Sequence, residues 1–143
     1  MPNTVNILLV DDDEVDTKAV RRAFRDLKIC NPVIEARDGI EALQHLRGTG
    51  GHEPIGHPCL VLLDLNMPRM GGLEFLAELR KDPTLSSTAV FVMTTSAAEE
   101  DRMRAYDHNV AGYLLKDSSG RSFLEAISML EHYWRIVMFP ESS

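Results

Sequence analysis

Cysteine is scarce in this sequence, which contains only two such residues, Cys30 and Cys59. Two cysteines are too few for the disulfide framework that stabilises many small exported proteins. The stretch from Met1 to Asn6 forms neither the basic nor the apolar segment of a signal peptide. We therefore expect two free thiols and a cytoplasmic location.

Long apolar runs and an excess of basic residues are also absent. No run approaches the roughly 20 residues of a membrane-spanning helix, so we expect no membrane partner. The formal net charge is −7, whereas a nucleic-acid surface needs a basic patch, so we expect no nucleic-acid partner. The 143 residues, of which 44% are hydrophobic, predict a single domain with its own core. The expected partners are proteins and a cation.

Five short apolar runs alternate with five segments of helical character. The runs, which predict strands, are Val5–Val10, Val33–Ala36, Leu60–Leu63, Ala89–Met93 and Gly112–Leu115. Four of the helical segments have apolar stripes at helical spacing. The stripes are Val20, Ala23, Phe24 and Leu27; Ile40, Leu43 and Leu46; Leu73, Leu76 and Leu79; and Phe123, Ile127, Leu130 and Trp134. The fifth segment, over 99–108, has a weaker pattern. This alternation predicts an α/β domain whose parallel sheet has helices on both faces.

One connection is longer than most. Glycine and proline recur between Gly48 and Pro58, which predicts a surface loop of about ten residues. His52 and His57 lie in this loop, and we expect them to be solvated rather than to bind a metal.

Four of the predicted strands are followed or closed by a polar residue, in chain order Asp11, Asp64, Thr94 and Lys116. Because the carboxyl ends of parallel strands lie at one edge of a sheet, we expect these side chains to converge. Asp12 would add a third carboxylate beside Asp11 and Asp64. Such a cluster predicts a Mg²⁺ site, completed by water and by the backbone carbonyl of Asn66.

The same set of residues predicts an aspartyl-phosphate. Asp64 would be the nucleophile, and Mg²⁺, the Lys116 ammonium and the Thr94 hydroxyl would each neutralise one phosphoryl oxygen. Taken singly, an acidic pair before a helix predicts a cap, and a lone lysine or threonine predicts an ordinary surface residue. Their occurrence together at strand ends favours the phosphoacceptor hypothesis.

Four segments resemble the receiver domain of two-component response regulators. They are Ile7-Leu8-Leu9-Val10-Asp11-Asp12, Leu62-Leu63-Asp64-Leu65-Asn66-Met67-Pro68-Arg69-Met70-Gly71-Gly72, Met93-Thr94-Thr95 and Gly112-Tyr113-Leu114-Leu115-Lys116. The resemblance extends from about Val5 to Met138 and implies a flavodoxin-like, doubly wound, five-stranded sheet of order 2-1-3-4-5 with five helices. It also implies phosphotransfer from a histidine kinase to Asp64, with Mg²⁺ at Asp11, Asp12 and Asp64.

The long loop after the second helix, the Thr94-Thr95-Ser96 run and the aromatic tail Tyr133-Trp134 near Pro140 also resemble the single-domain regulators that are paired with bacterial phytochromes. That resemblance implies a bacteriophytochrome kinase and a homodimer. Thr94 and Thr95 match the switch hydroxyl, and Tyr113 is expected to swing inward when Thr94 moves towards the phosphoryl group. Asp117 stands where the family usually has proline after the lysine.

The last helix suggests that the protein transmits its signal through protein contacts. We expect one receiver domain over 1–143, with a helix and tail extension over about 134–143 and no attached output domain. The last helix carries more apolar residues than one face requires, which predicts dimer contacts through Leu130, Trp134, Ile136 and Met138.

Three other functions stay open at this point. A flavin-binding protein of the same fold would need a phosphate-cradling loop where this chain has Asp11-Asp12-Asp13-Glu14. A Mg²⁺-dependent aspartyl-phosphate hydrolase usually has a second acid where this chain has Asn66. A receiver-fold scaffold that is never phosphorylated is the third alternative. We expect a phosphoacceptor rather than a conventional enzyme.

Overall fold

The structure is a computed structural model that describes residues 5–56, 59–64, 70–94 and 109–115, with only the backbone described at 94 and 113–115. The elements in these ranges are, in chain order, β1 (Asn6–Val10), α1 (Glu14–Asp26), β2 (Val33–Ala36), α2 (Gly39–Arg47), β3 (Cys59–Asp64), α3 (Gly72–Lys81), β4 (Ala89–Thr94) and β5 (Gly112–Leu115). The expected helices over 99–108 and beyond residue 122 lie outside the described residues.

The five described strands form one sheet in the order β2-β1-β3-β4-β5. Every neighbouring pair is parallel. The prediction of an α/β fold built on a parallel sheet is confirmed, and helices connect β1 to β2, β2 to β3 and β3 to β4. In the sheet, β1 lies between β2 and β3. The chain therefore crosses from β1 to β2 in one direction and then returns past β1 to build β3, β4 and β5 on the other side.

The core explains why the strands read as continuous apolar runs. All six residues of β3 are buried, because both faces of the sheet are covered. Leu8, Val10, Val61 and Leu63 pack on the face that carries α2 and α3. The alternating residues Ile7, Leu9, Leu60 and Leu62 pack on the face that carries α1.

The three described helices bury most of the residues in their predicted stripes. Val20, Ala23 and Phe24 of α1 are buried, as the spacing of these residues predicts. In α2 the buried face contains Ala42 and Leu43, whereas Ile40 is 36% exposed. The helix begins at Gly39, so Ile40 lies in the first turn, on the side away from the core. No helix in the described ranges is both long enough and apolar enough to cross a bilayer.

The connection between α2 and β3 is more closely packed than a surface loop. Ile55 is only 5% exposed and belongs to the core cluster beneath α2. The His52 ring lies against the His45 ring with centroids 4.0 Å apart. His52 is therefore only half solvated, because the segment that ends at the buried Ile55 packs back onto the helix. His57 lies outside the described residues.

Candidate functional site

The pairing of β1 with β3 brings two carboxylates to the same edge of the sheet. Val10 pairs with Leu63, so Asp11 follows β1 at the level where Asp64 closes β3. Both carboxylates are buried, whereas Asp12 is exposed. One ligand oxygen from each of Asp11, Asp12 and Asp64 lies within 4.8 Å of the others. The structure thus places three acidic groups around one point.

The turn after β1 gives each of its three aspartates a different environment. The Asp11 backbone N–H donates to the Ala36 carbonyl at 3.0 Å. The Asp11 carboxylate accepts a hydrogen bond from the Asp13 backbone N–H at 2.9 Å, which bends the chain out of the strand. Asp12 lies at the top of this bend, with its side chain open to solvent.

Asp13, rather than the acidic pair before it, caps α1. Its carboxylate accepts hydrogen bonds from the backbone N–H groups of Val15, at 2.8 Å, and Asp16, at 3.4 Å. These bonds satisfy two of the amides that have no partner inside the helix. Sequence reasoning offered capping as the alternative role of Asp11 and Asp12, but that role falls to their neighbour. Asp12 instead contributes its carboxylate to the acidic cluster with Asp11 and Asp64.

The donor set of this cluster suits a hard divalent cation. Three carboxylates within a few ångströms repel one another, and a positive ion between them removes that repulsion. Mg²⁺ and Mn²⁺ favour oxygen ligands, and Mg²⁺ keeps several waters of its own. The exposed Asp12 leaves the cluster open towards solvent, which suits an ion that keeps part of its hydration shell. The residues present therefore fit the expected cation.

The structure describes only part of the remaining predicted site residues. Thr94 closes β4, one residue beyond the Met93 that pairs with Asp64, and its own partner on β5 is Leu115. Lys116 would follow directly after Leu115. The Tyr113 backbone pairs with Val92. Lys116, Asn66, Thr95 and the dimer candidates Leu130, Trp134, Ile136 and Met138 lie outside the described residues, as do the side chains of Thr94 and Tyr113.

The start of α2 packs against the residues at the beginning of α3. The Gly39 backbone N–H donates to the Met70 carbonyl at 3.0 Å. A Cβ atom at Gly39 would lie 2.7 Å from Cγ of Met70 and 3.0 Å from Cβ of Phe75. Any larger residue at this position would force the Met70 side chain to move, so glycine suits this close approach. The sequence signals a turn at Asp38-Gly39, but it does not indicate which segment packs against that turn.

Comparison with known proteins identifies the family. Residues 7–128 match the model of the response regulator receiver domain. The chain belongs to this family. It is 35% identical to the response regulator Rcp1 of Synechocystis over 128 residues, which cover 90% of this chain and 87% of Rcp1. The resemblance predicted from the sequence is confirmed, and with it membership of the two-component signalling proteins.

Solved structures give the same result. The phosphorylated cyanobacterial phytochrome response regulator RcpA is 33% identical, with a TM-score of 0.87 and coverage of 98% of this chain and 100% of RcpA. The bacteriophytochrome response regulator AtBRR is 35% identical, with a TM-score of 0.77 and coverage of 95% and 99%. A Mn²⁺-bound form of Rcp1 is 32% identical, with a TM-score of 0.82 and coverage of 96% and 99%. The similarity to phytochrome response regulators is thus confirmed.

Proposed function

We propose that this receiver accepts a phosphoryl group from a histidine kinase on Asp64 and signals through protein contacts. The observation that carries the proposal is the grouping of Asp11, Asp12 and Asp64 within 4.8 Å at the edge where β1 and β3 end. The two known structures described as phosphorylated RcpA and Mn²⁺-bound Rcp1 support it, because each names one component of this chemistry for a similar protein.

Asp64 is the nucleophile of the proposed reaction. One carboxylate oxygen attacks the phosphorus of a phosphohistidine, the P–N bond breaks, and the imidazole leaves with its electron pair. The side chain of Asp64 is 7% exposed, so the donor must approach from the carboxyl edge of the sheet. Burial of Asp64 also limits the access of water to the acyl phosphate, which would otherwise hydrolyse it.

The proposed cation is Mg²⁺, held by Asp11, Asp12, Asp64 and the backbone carbonyl of Asn66. When bound, it supplies positive charge that offsets the charge of the phosphoryl oxygens. Asp12 matches a direct ligand of the family, and Asp11 is proposed to act through water. Lys116 and Thr94, with Thr95 beside it, are proposed to bind the remaining phosphoryl oxygens, and Tyr113 to respond to the movement of Thr94.

The proposed kinase is a bacteriophytochrome, in view of the similarity to RcpA and AtBRR. The full proposal includes the fourth and fifth helices of the five-helix receiver fold, and one receiver domain over 1–143 with an extension over about 134–143. It also includes a homodimer through Leu130, Trp134, Ile136 and Met138. Sedimentation at micromolar concentration tests the dimer, since a monomer there contradicts it.

The phosphoacceptor is tested with a small phosphodonor such as acetyl phosphate in the presence of Mg²⁺. We expect the wild-type chain to gain one phosphoryl group by intact mass, and Asp64→Asn to gain none. Asp13→Asn is the matched control, because it removes a carboxylate from the same edge while asparagine still caps α1. Labelling of Asp64→Asn, or of none of the three proteins, would refute the assignment, and the latter result would favour the scaffold alternative.

The kinase is tested separately by phosphotransfer from a panel of purified histidine kinases that includes a phytochrome kinase. Faster transfer from the phytochrome kinase than from the other members is the expected result. Equal or slower transfer would contradict the pairing while leaving the chemistry at Asp64 intact.

A further inference from the structure

A second group of metal-binding side chains lies away from the acidic edge. Glu41 and His45 are four residues apart on α2, so they share one face of the helix. His52 comes from the following loop, and all three side chains are half-buried. One ligand atom from each lies within 4.8 Å of the others. This cluster, named here the α2 cluster, is formed by Glu41, His45 and His52.

The loop is folded so as to bring His52 back onto the helix. The backbone N–H groups of Gly48 and Thr49 both donate to the Gln44 carbonyl, at 2.8 and 3.0 Å, which closes the last turn. Gly48 adopts φ +74°, and Gly50 and Gly51 follow at +64° and +85°. Three left-handed residues within four positions reverse the direction of the chain.

Two further bonds hold the returning segment in place. The His52 backbone N–H donates to the Thr49 carbonyl at 3.1 Å, and the Ile55 N–H donates to the carbonyl of His45 at 3.0 Å. Ile55 itself is buried in the core beneath α2. The backbone on either side of His52 is therefore fixed to the helix that carries the other two ligands, which makes the α2 cluster a feature of the fold.

The chemistry of the α2 cluster differs from that of the acidic edge. Two imidazoles and one carboxylate are the ligands of zinc sites that keep a fourth position for water. Nitrogen ligands favour Zn²⁺ and similar transition metals over Mg²⁺. A tetrahedral zinc ion with bonds of about 2.0–2.1 Å places its ligand atoms roughly 3.3 Å apart. The present spacing, at most 4.8 Å, is closed by small side-chain rotations.

A neighbouring backbone group orients one of the ligands. The Glu41 carboxylate accepts the Arg37 backbone N–H at 2.8 Å, which orients it and leaves further lone pairs for a metal.

We propose that Glu41, His45 and His52 form a binding site for a divalent transition-metal ion of the zinc type, separate from the site at Asp64. The site extends along one face of α2, from Glu41 in the first turn to His45 in the last, and is closed by His52 from the following loop. Bound metal joins the α2–β3 loop to the helix and stabilises the folded state, because the three ligands come together only on folding.

The test is a calorimetric titration of the untagged full-length chain with Zn²⁺, in buffer containing millimolar Mg²⁺ to occupy the acidic edge. We expect about one zinc ion per chain, with affinity lowered at least about 10-fold by His52→Ala and by Glu41→Gln. His52→Gln serves as a second variant that keeps a polar side chain in the loop. Circular dichroism of the metal-free variants checks that each is folded.

Three control variants separate this site from other zinc-binding groups. Glu53→Gln removes a carboxylate from the same loop, Cys30→Ser removes the exposed thiol, and Asp12→Asn weakens the acidic edge. None of them is expected to change the zinc affinity. The other thiol, Cys59, is buried, and burial raises its pKa to about 12, so it does not compete.

A second readout uses Co²⁺ in place of Zn²⁺. Four-coordinate Co²⁺ with nitrogen ligands absorbs visible light strongly, whereas Co²⁺ in a carboxylate and water site absorbs weakly. We expect the strong absorption in the wild-type chain and in Asp12→Asn, and its loss in His52→Ala. Zinc binding that is absent from the wild type, unchanged in His52→Ala or lost in Asp12→Asn would overturn the proposal.

Discussion

The two edges of the sheet use charge in opposite ways. At the carboxyl edge, Asp11, Asp12 and Asp64 lie within 4.8 Å of one another with like charges. At the opposite edge, where helices end and strands begin, Arg47, Arg80 and Asp82 bind partners of opposite charge, backbone carbonyls or a turn. Like charges held close together cost stability that a bound cation restores, whereas groups paired with opposite charges or carbonyls stabilise the fold directly. The comparison separates the edge that serves binding from the edge that serves stability.

Arg80 shows how the opposite edge is stabilised. Its guanidinium, at the end of α3, donates to the carbonyls of Ser86 and Thr88, both at 2.8 Å, and of Asn109, at 2.9 Å. Burial lowers the pKa of Arg80, but an arginine stays protonated at neutral pH. One side chain therefore joins the α3–β4 loop to the segment that enters β5.

Asp82, two residues beyond Arg80, makes a smaller contribution at the same edge. Its carboxylate accepts from the Thr84 hydroxyl at 2.8 Å and the Thr84 backbone N–H at 3.0 Å. The Arg47 guanidinium, from the last turn of α2, binds its other oxygen at 3.0 Å. Asp82 thus caps a turn and connects α2 with the end of α3.

Among the substitutions that test this difference between the two edges, we expect the one at Arg80 to change stability most. We expect Arg80→Ala to lower the free energy of unfolding by about 2–3 kcal/mol, because three backbone carbonyls lose a charged donor. Chemical denaturation measures the change. Lys81→Ala is the matched control, since Lys81 is exposed and lies 3.7 Å from Glu78, and its loss should cost less than about 0.5 kcal/mol. Equal effects of the two substitutions would contradict the role of Arg80.

At the carboxyl edge we expect that removing a charge raises the free energy of unfolding instead of lowering it. In chelator-containing buffer, Asp12→Asn should raise the free energy of unfolding by about 0.5–1 kcal/mol, because it removes one of three like charges at an exposed position. With saturating Mg²⁺ the order should reverse, since the wild type gains more from the ion. Denaturation of both proteins with and without Mg²⁺ measures this. A variant less stable than the wild type under both conditions would remove the contrast between the edges.

The smallest effect is the pH dependence at Asp82. Hydrogen bonds from Thr84, and to a smaller extent from Arg47, hold the pKa of Asp82 below its ordinary value of 3.8. The folded state therefore gains stability from this group above that value and loses it as the pH falls through the lowered pKa. We expect the difference in unfolding free energy between wild type and Asp82→Asn to be at most about 0.5 kcal/mol at neutral pH. This difference should vanish in acid, and a difference that grows as the pH falls would show that the sign is wrong.

Much of the site could be predicted from the sequence because strand ends are local features. Asp11 follows an apolar run and Asp64 closes another, and parallel pairing places such ends at one edge whatever the details of packing. The capping role of Asp13 was missed because it depends on where α1 begins, and three consecutive aspartates offer three possible caps.

The loop after α2 shows the limit of local reasoning. Its glycines and prolines predicted a surface loop, but their number does not indicate in which direction the chain returns to the helix. The buried Ile55 decided that direction, and with it the contact of His52 with His45. Ile40 was predicted to be buried but is partly exposed for a similar reason. Which side of the first turn of a short helix faces the core depends on how the helix packs against the sheet.

By itself, the amino-acid sequence determined the alternation of buried strands with amphipathic helices and the polar residues at the strand ends. These follow from the side-chain period of each element and from which side chains tolerate water. Only the tertiary structure decided the register that sets Asp11 beside Asp64, the contact of Gly39 with Met70 and the return of His52 to α2. Those arrangements depend on packing between residues from different parts of the chain, which no local pattern encodes.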